Sequence, residues 1–487
     1  MMASIPNLPV VVDLSTVTAT KNGGVGPAEP YLLTVFFQLD GGTMRIETRA
    51  DGKLVLRGEP VVRRTNSRHG NLPQIRDGET VPVPDSVGRF ATTMRPIPLP
   101  GSLGDLVVGG ASGAVGMLYV LAEQDGLPDH AILAAYDTLV EEFTKELRKI
   151  RDGIVIDPAN PATNPFTVSE EVKKAITERI AAKVRDTILK NTFLVLNADD
   201  ILGSDVLVFT EAGLLADRSQ PFSKRFDEGV PGDWTVRGSA TATLPTDFAR
   251  RRRVTLDLDK LTCVTANESG LAGPDEPYLW NLFFTIDGST VSLGNNFRLA
   301  GTAVVVGSPG SQGNLGVDPV SAGQTIQIPD AVGRFAPQLD LIPFPPLLRG
   351  SLVGGISGVI GCVSVLLERD LVSADAAEAG HQAFNAEVTR VLNELIPTLG
   401  VGNATPSPAD LEALSGRIGQ KVRAAILEEG NILEDLFAAL DPDDVVGFQV
   451  RLFTHTSLLD DPQQPITATF DQAGHYDLTG SVSATPA

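Results

Sequence analysis

The sequence predicts an α+β chain: a tandem duplication of a β-sandwich module, each copy interrupted by a helical insertion with a glycine-rich central helix. Three observations carry that expectation. Colinear matches recur at a spacing of about 245 residues, too long for a solenoid repeat and right for a domain. Runs of aromatic and β-branched residues, bounded by Asp-Gly and other turn signals, open and close each copy. Between them lie segments with apolar residues at every fourth position, the spacing of one helix face.

The matches run in order. Leu14-Ser15-Thr16-Val17-Thr18-Ala19 aligns with Leu261-Thr262-Cys263-Val264-Thr265-Ala266, and Gly26-Pro27-Ala28-Glu29-Pro30-Tyr31-Leu32 with Gly273-Pro274-Asp275-Glu276-Pro277-Tyr278-Leu279. Phe36-Phe37 returns as Phe283-Phe284, Val87-Gly88-Arg89-Phe90 as Val332-Gly333-Arg334-Phe335, and Gly109-Gly110-Ala111-Ser112-Gly113 as Gly354-Gly355-Ile356-Ser357-Gly358. The expected organisation is a first module over 1–245, a linker over 246–253 holding the run Arg250-Arg251-Arg252-Arg253, and a second module over 254–487.

Within the first module, 32–39, 44–48 and 53–62 read as strands, and 206–209 and 234–243 close the sandwich. The second repeats this at 279–286, 298–306, 448–454 and 476–482. Helices are expected over 105–123, 129–150 and 168–190. In the last, Val172, Ile176, Ile180, Val184 and Ile188 form a stripe behind the capping box Thr167-x-x-Glu170. In the second copy Ser407-Pro408 is an N-cap and first-turn pair, and Leu411, Leu414, Ile418, Val422 and Ile426 carry the stripe.

The segments 106–122 and 350–367 hold no charge, and four glycines recur in both, Gly109, Gly110, Gly113 and Gly116 against Gly354, Gly355, Gly358 and Gly361. In a helix those glycines would cost about 4 kcal/mol relative to alanine, unless another backbone packs closely against them. Two readings follow: a buried central helix, or a membrane-inserting element at the lower limit of the ~20 residues a span needs. Each run ends on an acid, Glu123 or Glu368, at what would be the negative end of a helix dipole. Arg89 and Arg334 are the expected ion-pair partners.

Composition narrows function by exclusion. The net charge of −21 opposes a phosphate backbone, so no nucleic-acid partner is expected. The two cysteines, Cys263 and Cys362, lie in the second copy opposite Thr16 and Met117, so the module needs no disulfide and the thiols read as small apolar residues. The first residues show no basic-then-apolar leader, which leaves the cytoplasm as the default and a non-classical release route as the alternative. The five histidines form no i,i+4 ligand pair. There is no nucleophile elbow, phosphate loop or repeated cysteine–histidine arrangement, so an enzyme is disfavoured.

One cluster could bind a cation. Asp275 and Glu276 enter a strand, and Asp443-Asp444 precede a late one. If both loops meet, their oxygens suit Ca²⁺. The first copy keeps Glu29, Asp199 and Asp200 but has Ala28 in place of the first acid. The function expected is therefore a non-enzymatic binding or scaffold protein, contacting a protein partner or associating with itself. The alternatives are a membrane-active protein using the glycine-rich segments and a Ca²⁺-dependent binding module.

Overall fold

The computed structural model describes residues 7–50, 53–100, 107–124, 129–153, 155–156, 200–227, 230–245, 251–266, 275–294, 298–317, 319–346, 352–369, 374–399 and 445–487. Strands dominate and assemble several sheets arranged as β-sandwiches. The first half runs β1 (Leu8–Lys21), β2 (Pro30–Leu39), β3 (Met44–Thr48), β4 (Leu54–Gly58), β5 (Val61–Arg64), β6 (Glu79–Pro82), α1 (Asp85–Gly88), β7 (Arg89–Met94), β8 (Val107–Ala111), β9 (Ala114–Glu123), α2 (Asp129–Gly153), β10 (Val155–Ile156), β11 (Asp200–Thr210), α3 (Glu211–Ala216), β12 (Ser219–Phe226) and β13 (Asp233–Ala242). The second runs β14 (Arg251–Thr265), β15 (Pro277–Ile286), β16 (Val291–Leu293), β17 (Leu299–Gly301), β18 (Val304–Gly307), β19 (Thr325–Gln327), α4 (Asp330–Gly333), β20 (Arg334–Phe335), β21 (Gln338–Asp340), β22 (Leu352–Ile356), β23 (Val359–Glu368), α5 (Ala374–Leu395), β24 (Val445–Thr454), α6 (His455–Asp460), β25 (Gln463–Phe470) and β26 (His475–Pro486).

The two halves share strand order. One sheet is β12-β13-β1-β6 in the first half and β25-β26-β14-β19 in the second; its partner is β11-β9-β2-β5 in the first and β24-β23-β15-β18 in the second. Long β1 alternates, sending Leu8, Val10, Val12 and Leu14 inward, as a strand with one solvated face must. A bulge between Leu14 and Thr16 resets the alternation so that Val17 and Ala19 also point in. In β14 a bulge between Leu258 and Lys260 does the same for Leu261 and Cys263.

The partner sheet is covered on both sides. One face of β2 and β9 (Leu32, Phe36, Val115, Met117) meets β1 and β13. The other (Leu33, Val35, Phe37, Leu118, Val120) is roofed by α2 through Ile132, Ala135, Leu139, Phe143 and Leu147, spaced three or four apart along one helix face. In the second half α5 roofs β15 and β23 with Phe384, Val388 and Leu392. Every residue of β2, β15 and β23 is buried, so these strands read as nearly continuous apolar runs.

That double cover corrects the glycine-rich helices. Residues 107–111 and 114–123 are β8 and β9, and 352–356 and 359–368 are β22 and β23. A strand buried on both faces loses its polar alternation and cannot be told from a buried helix by periodicity. The glycines serve close approach instead: a Cβ on Gly116 would lie 2.0 Å from the Leu207 carbonyl oxygen and 2.8 Å from the Phe37 ring.

Two further expectations change. Register sets Cys263 opposite Tyr476 as Ala19 stands opposite Trp234, so Ala19, not Thr16, holds the place of Cys263. Identity matching slides β1 three residues against β14, because nothing in the letters marks the equivalent bulges. Arg251, Arg252 and Arg253 are not linker: they begin β14, paired with β21 and β26. The expected helices 168–190 and 411–426 lie outside the described residues, as does Arg250.

The halves meet by direct strand pairing. β8 runs antiparallel to β22, with Val107 opposite Ile356, Gly109 opposite Gly354 and Ala111 opposite Leu352. The register is symmetric about the glycine pair. Both glycines have φ in the left-handed range, 128° and 100°, which L side chains rarely adopt. Ile97 and Ile342 extend the ladder by bridges to Ala111 and Ile356. The helix-roofed faces of both halves join here into one apolar cluster through Ile97, Val107, Ile342, Phe344 and Ile356.

Candidate functional site

Of the described acids, Asp275, Glu276 and Glu29 already have partners within the protein. Asp275 turns inward: it is 1% exposed and accepts a hydrogen bond from the Tyr476 hydroxyl at 2.7 Å. Glu276 pairs with Arg369. Glu29 accepts from the Gln74 side-chain amide at 2.6 Å. Asp200 opens β11 opposite Glu123, while Asp199, Asp443 and Asp444 lie outside the described residues. Among the described residues no group of three or more His, Cys, Asp or Glu side chains is placed to hold a metal ion.

The arginines also face elsewhere. Arg89 lies 3.8 Å from Asp85 and Arg334 3.3 Å from Asp330, each across a four-residue helix. Glu123 and Glu368 end strands, so no helix dipole calls for Glu123–Arg89 and Glu368–Arg334 pairs. Half-exposed pairs of this kind contribute about 0–1 kcal/mol. Arg89→Ala is therefore expected to shift the melting temperature by less than about 3 °C; a larger fall would show that Arg89 has a second, structural partner.

Sequence reasoning missed two sets of buried polar groups. The first is confined to the second half. Tyr476 bridges Asp275 and Cys263 inside the sandwich, all three buried. Burial, and then the Asp275 carboxylate, hold the Tyr476 hydroxyl well above the usual phenol range, and burial raises the Cys263 thiol. The first half has Ala28, Ala19 and Trp234 at the same register positions, and the Trp234 indole N–H donates to the Pro231 carbonyl at 2.9 Å. One bulky ring with two small neighbours replaces a smaller ring with two polar ones.

The second set flanks the junction. β11 ends at Thr210, whose hydroxyl accepts from Gly213 N–H at 3.1 Å and starts α3; Thr454 does the same for α6 through Ser457 N–H at 3.0 Å. The next residue is Glu211 in one half and His455 in the other. Their backbone N–H groups donate to Gly113 and Gly358 carbonyls at 2.9 and 2.8 Å. Ser112 and Ser357 hydroxyls accept from Ala212 and Thr456 N–H groups at 3.0 and 3.1 Å. Both helix starts are thus tied to the turn that follows β8 or β22.

Both side chains are enclosed. Glu211 is 0% exposed; Gly113 N–H reaches Oε2 at 3.3 Å and Oε1 has no partner. His455 is 1% exposed and neither ring nitrogen has one. Burial pushes the Glu211 carboxyl up to about 8, against the Gly113 hydrogen bond and with help from Asp40. Burial, then the Arg252 charge, takes His455 down to about 4, with Asp340 opposing. Both shifts favour the uncharged form, as the cost of enclosing a lone charge requires. A threonine closing an apolar strand ahead of an ionisable residue was the only trace in the letters.

Beside α3 a groove of about 420 Å³ runs between the halves, lined by Ala212, Leu215, Ala216, Pro343, Phe344 and 352–354. No family model matches the chain, and no curated protein matches it in sequence. Among solved structures it is similar to the paired C2 domains, A and B, of Extended-Synaptotagmin 2, at 7% identity and a TM-score of 0.19, over 99% of this chain and 92% of that one. It is also similar to the calcium-bound form of those domains, at 8% identity and a TM-score of 0.16, over 99% of both chains. Likenesses at that level say nothing of what this chain binds.

Proposed function

We propose that the chain is a non-enzymatic binding scaffold, built by duplication of one β-sandwich module with its roofing helix, that offers paired surfaces to protein partners, including further copies of itself. The register symmetry of β8 on β22 carries this reading. Each half meets the other with the same patch, the geometry of an isologous dimer closed inside one chain. Matching strand orders and matching bulges support the duplication. The enclosed ionisable groups lack the open, clustered arrangement that acid–base chemistry needs.

Self-association is favoured by β18. Among the described strands it pairs with β15 alone, it carries no charge, and Val304 and Val306 are exposed. Natural edge strands usually carry lysine, proline or a bulge to prevent pairing with another chain. Sedimentation over a wide concentration range is expected to show species heavier than the 51.4 kDa single chain, and Val306→Lys is expected to remove them. A single-chain mass at every concentration would discard the self-associating part of the reading.

The membrane-inserting alternative relied on helices over 106–122 and 350–367, where the described elements are the strands β8, β9, β22 and β23. No described helix is long and apolar enough to cross a membrane. The calcium alternative gains no observation, with Asp275 and Glu276 already engaged.

A further inference from the structure

We propose that Glu211 and His455 form a two-sided proton latch on the junction: the halves are held closed while Glu211 is protonated and His455 is neutral, and a proton change at either loosens the contact. The geometry rests on three points. First, both groups sit at equivalent places, directly after the capping threonine of a short helix, and both are enclosed with polar atoms left unpartnered. Second, those helices reach across the seam. Ala212 and Leu215 of α3 and Leu459 of α6 pack together on Val108 of one half and Leu341 and Val353 of the other. Third, a groove opens along that same contact, lined by Ala212, Leu215 and Val353 together with Pro343 and Phe344, and leaves space beside the helix for it to shift.

The charges around each group favour the closed state only when the group is neutral. The charged side chain acting on Glu211 is Asp40, whose oxygens accept from Gly42 and Arg95 backbone N–H groups at 3.0 and 2.7 Å. Ionised Glu211 would be repelled by it. His455 is acted on by Arg252 and Asp340, and Asp340 is itself paired with Arg251 at 2.6 Å. Protonated His455 would gain little from an engaged Asp340 and be repelled by Arg252.

The signs follow from linkage. For Glu211 the closed-state value is raised, to about 8 from 4.5, so closure is fully favoured below 4.5 and weakens as pH rises through 8. For His455 it is lowered, to about 4 from 6.5, so closure is fully favoured above 6.5 and weakens as pH falls through 4. The opening equilibrium is expected to rise roughly 50-fold from pH 6 to 8 through Glu211, and roughly 40-fold from pH 6.5 to 4.5 through His455.

Hydrogen exchange of the whole protein from pH 4 to 9, corrected for intrinsic rates, tests this. Amides of 107–111 and 352–356 are expected to lose protection at both ends while those of 117–121 and 362–366 keep it. Glu211→Gln should abolish the alkaline arm alone and His455→Gln the acid arm alone. Flat protection at the junction, loss in step with the sandwich strands, or both arms surviving in both variants would overturn the latch. Should one variant fail to fold, the other variant and the wild-type contrast between junction and sandwich strands decide it in the same way.

Discussion

Asp275→Ala is expected to destabilise the protein by about 2–4 kcal/mol and to lower its melting temperature by roughly 5–10 °C. The substitution leaves the Tyr476 hydroxyl buried without its acceptor and opens a space beside Cys263. Tyr476→Trp alone should also destabilise, because the larger ring meets Asp275. Together with Cys263→Ala the three changes reproduce Ala19, Ala28 and Trp234 of the first half, where the indole N–H, two residues beyond the left-handed Gly232, finds the Pro231 carbonyl. Gly474 makes the same left-handed turn before Tyr476, leaving the Ala473 carbonyl in the place of Pro231. The triple variant is therefore expected to recover most of the loss. Thermal unfolding of the single, double and triple variants measures the coupling; purely additive losses would show that the two halves fill this space by unrelated packing.

Several strands of each half were legible because their residues announce them, although the opening strands β1 and β14 were not among them. Residues 44–48 alternate and match β3, and 234–243 lies on β13 to within a residue. The helix over 129–150 was legible for the same reason, since Ile132, Ala135, Leu139, Phe143 and Leu147 repeat at helical spacing against a polar opposite face. The middle strands were not, because α2 and α5 cover the face that would otherwise have shown polar residues. Of the candidate site, the letters offer Asp275 as one acid among several and do not mark Tyr476 as its partner. Its acceptor role is set by Tyr476, 201 residues later, and depends on a bulged register that no local pattern records. Glu211 and His455 differ in charge and chemistry, so matching letters between the halves passed over them. Their likeness is one of position, fixed by a threonine cap and the serine–glycine turn each helix leans on.

Gly116→Ala tests the close packing of β9 by the sign of its effect. Where space is open, as in an exposed helix interior, alanine would stabilise by about 1 kcal/mol over glycine. In β9 the new methyl group meets the Leu207 carbonyl oxygen of one neighbouring strand and the Phe37 ring of the other. β9 is hydrogen-bonded on both sides and roofed by a helix, so neither neighbour can withdraw without disturbing a second layer. The expected loss is about 3 kcal/mol or more, with Gly116→Val failing to fold. Phe37→Leu should relieve only part of the alanine effect, because the ring is flexible and the opposing backbone oxygen is not. Gly361→Ala should act in the same direction in the second half, where a Cβ would stand 2.6 Å from the Arg451 carbonyl oxygen and 2.7 Å from the Phe284 ring. Denaturant unfolding of the two alanine variants decides the matter: an unchanged or raised midpoint in both would mean that these glycines are not wedged between strands, and the sandwich register built around them would have to move.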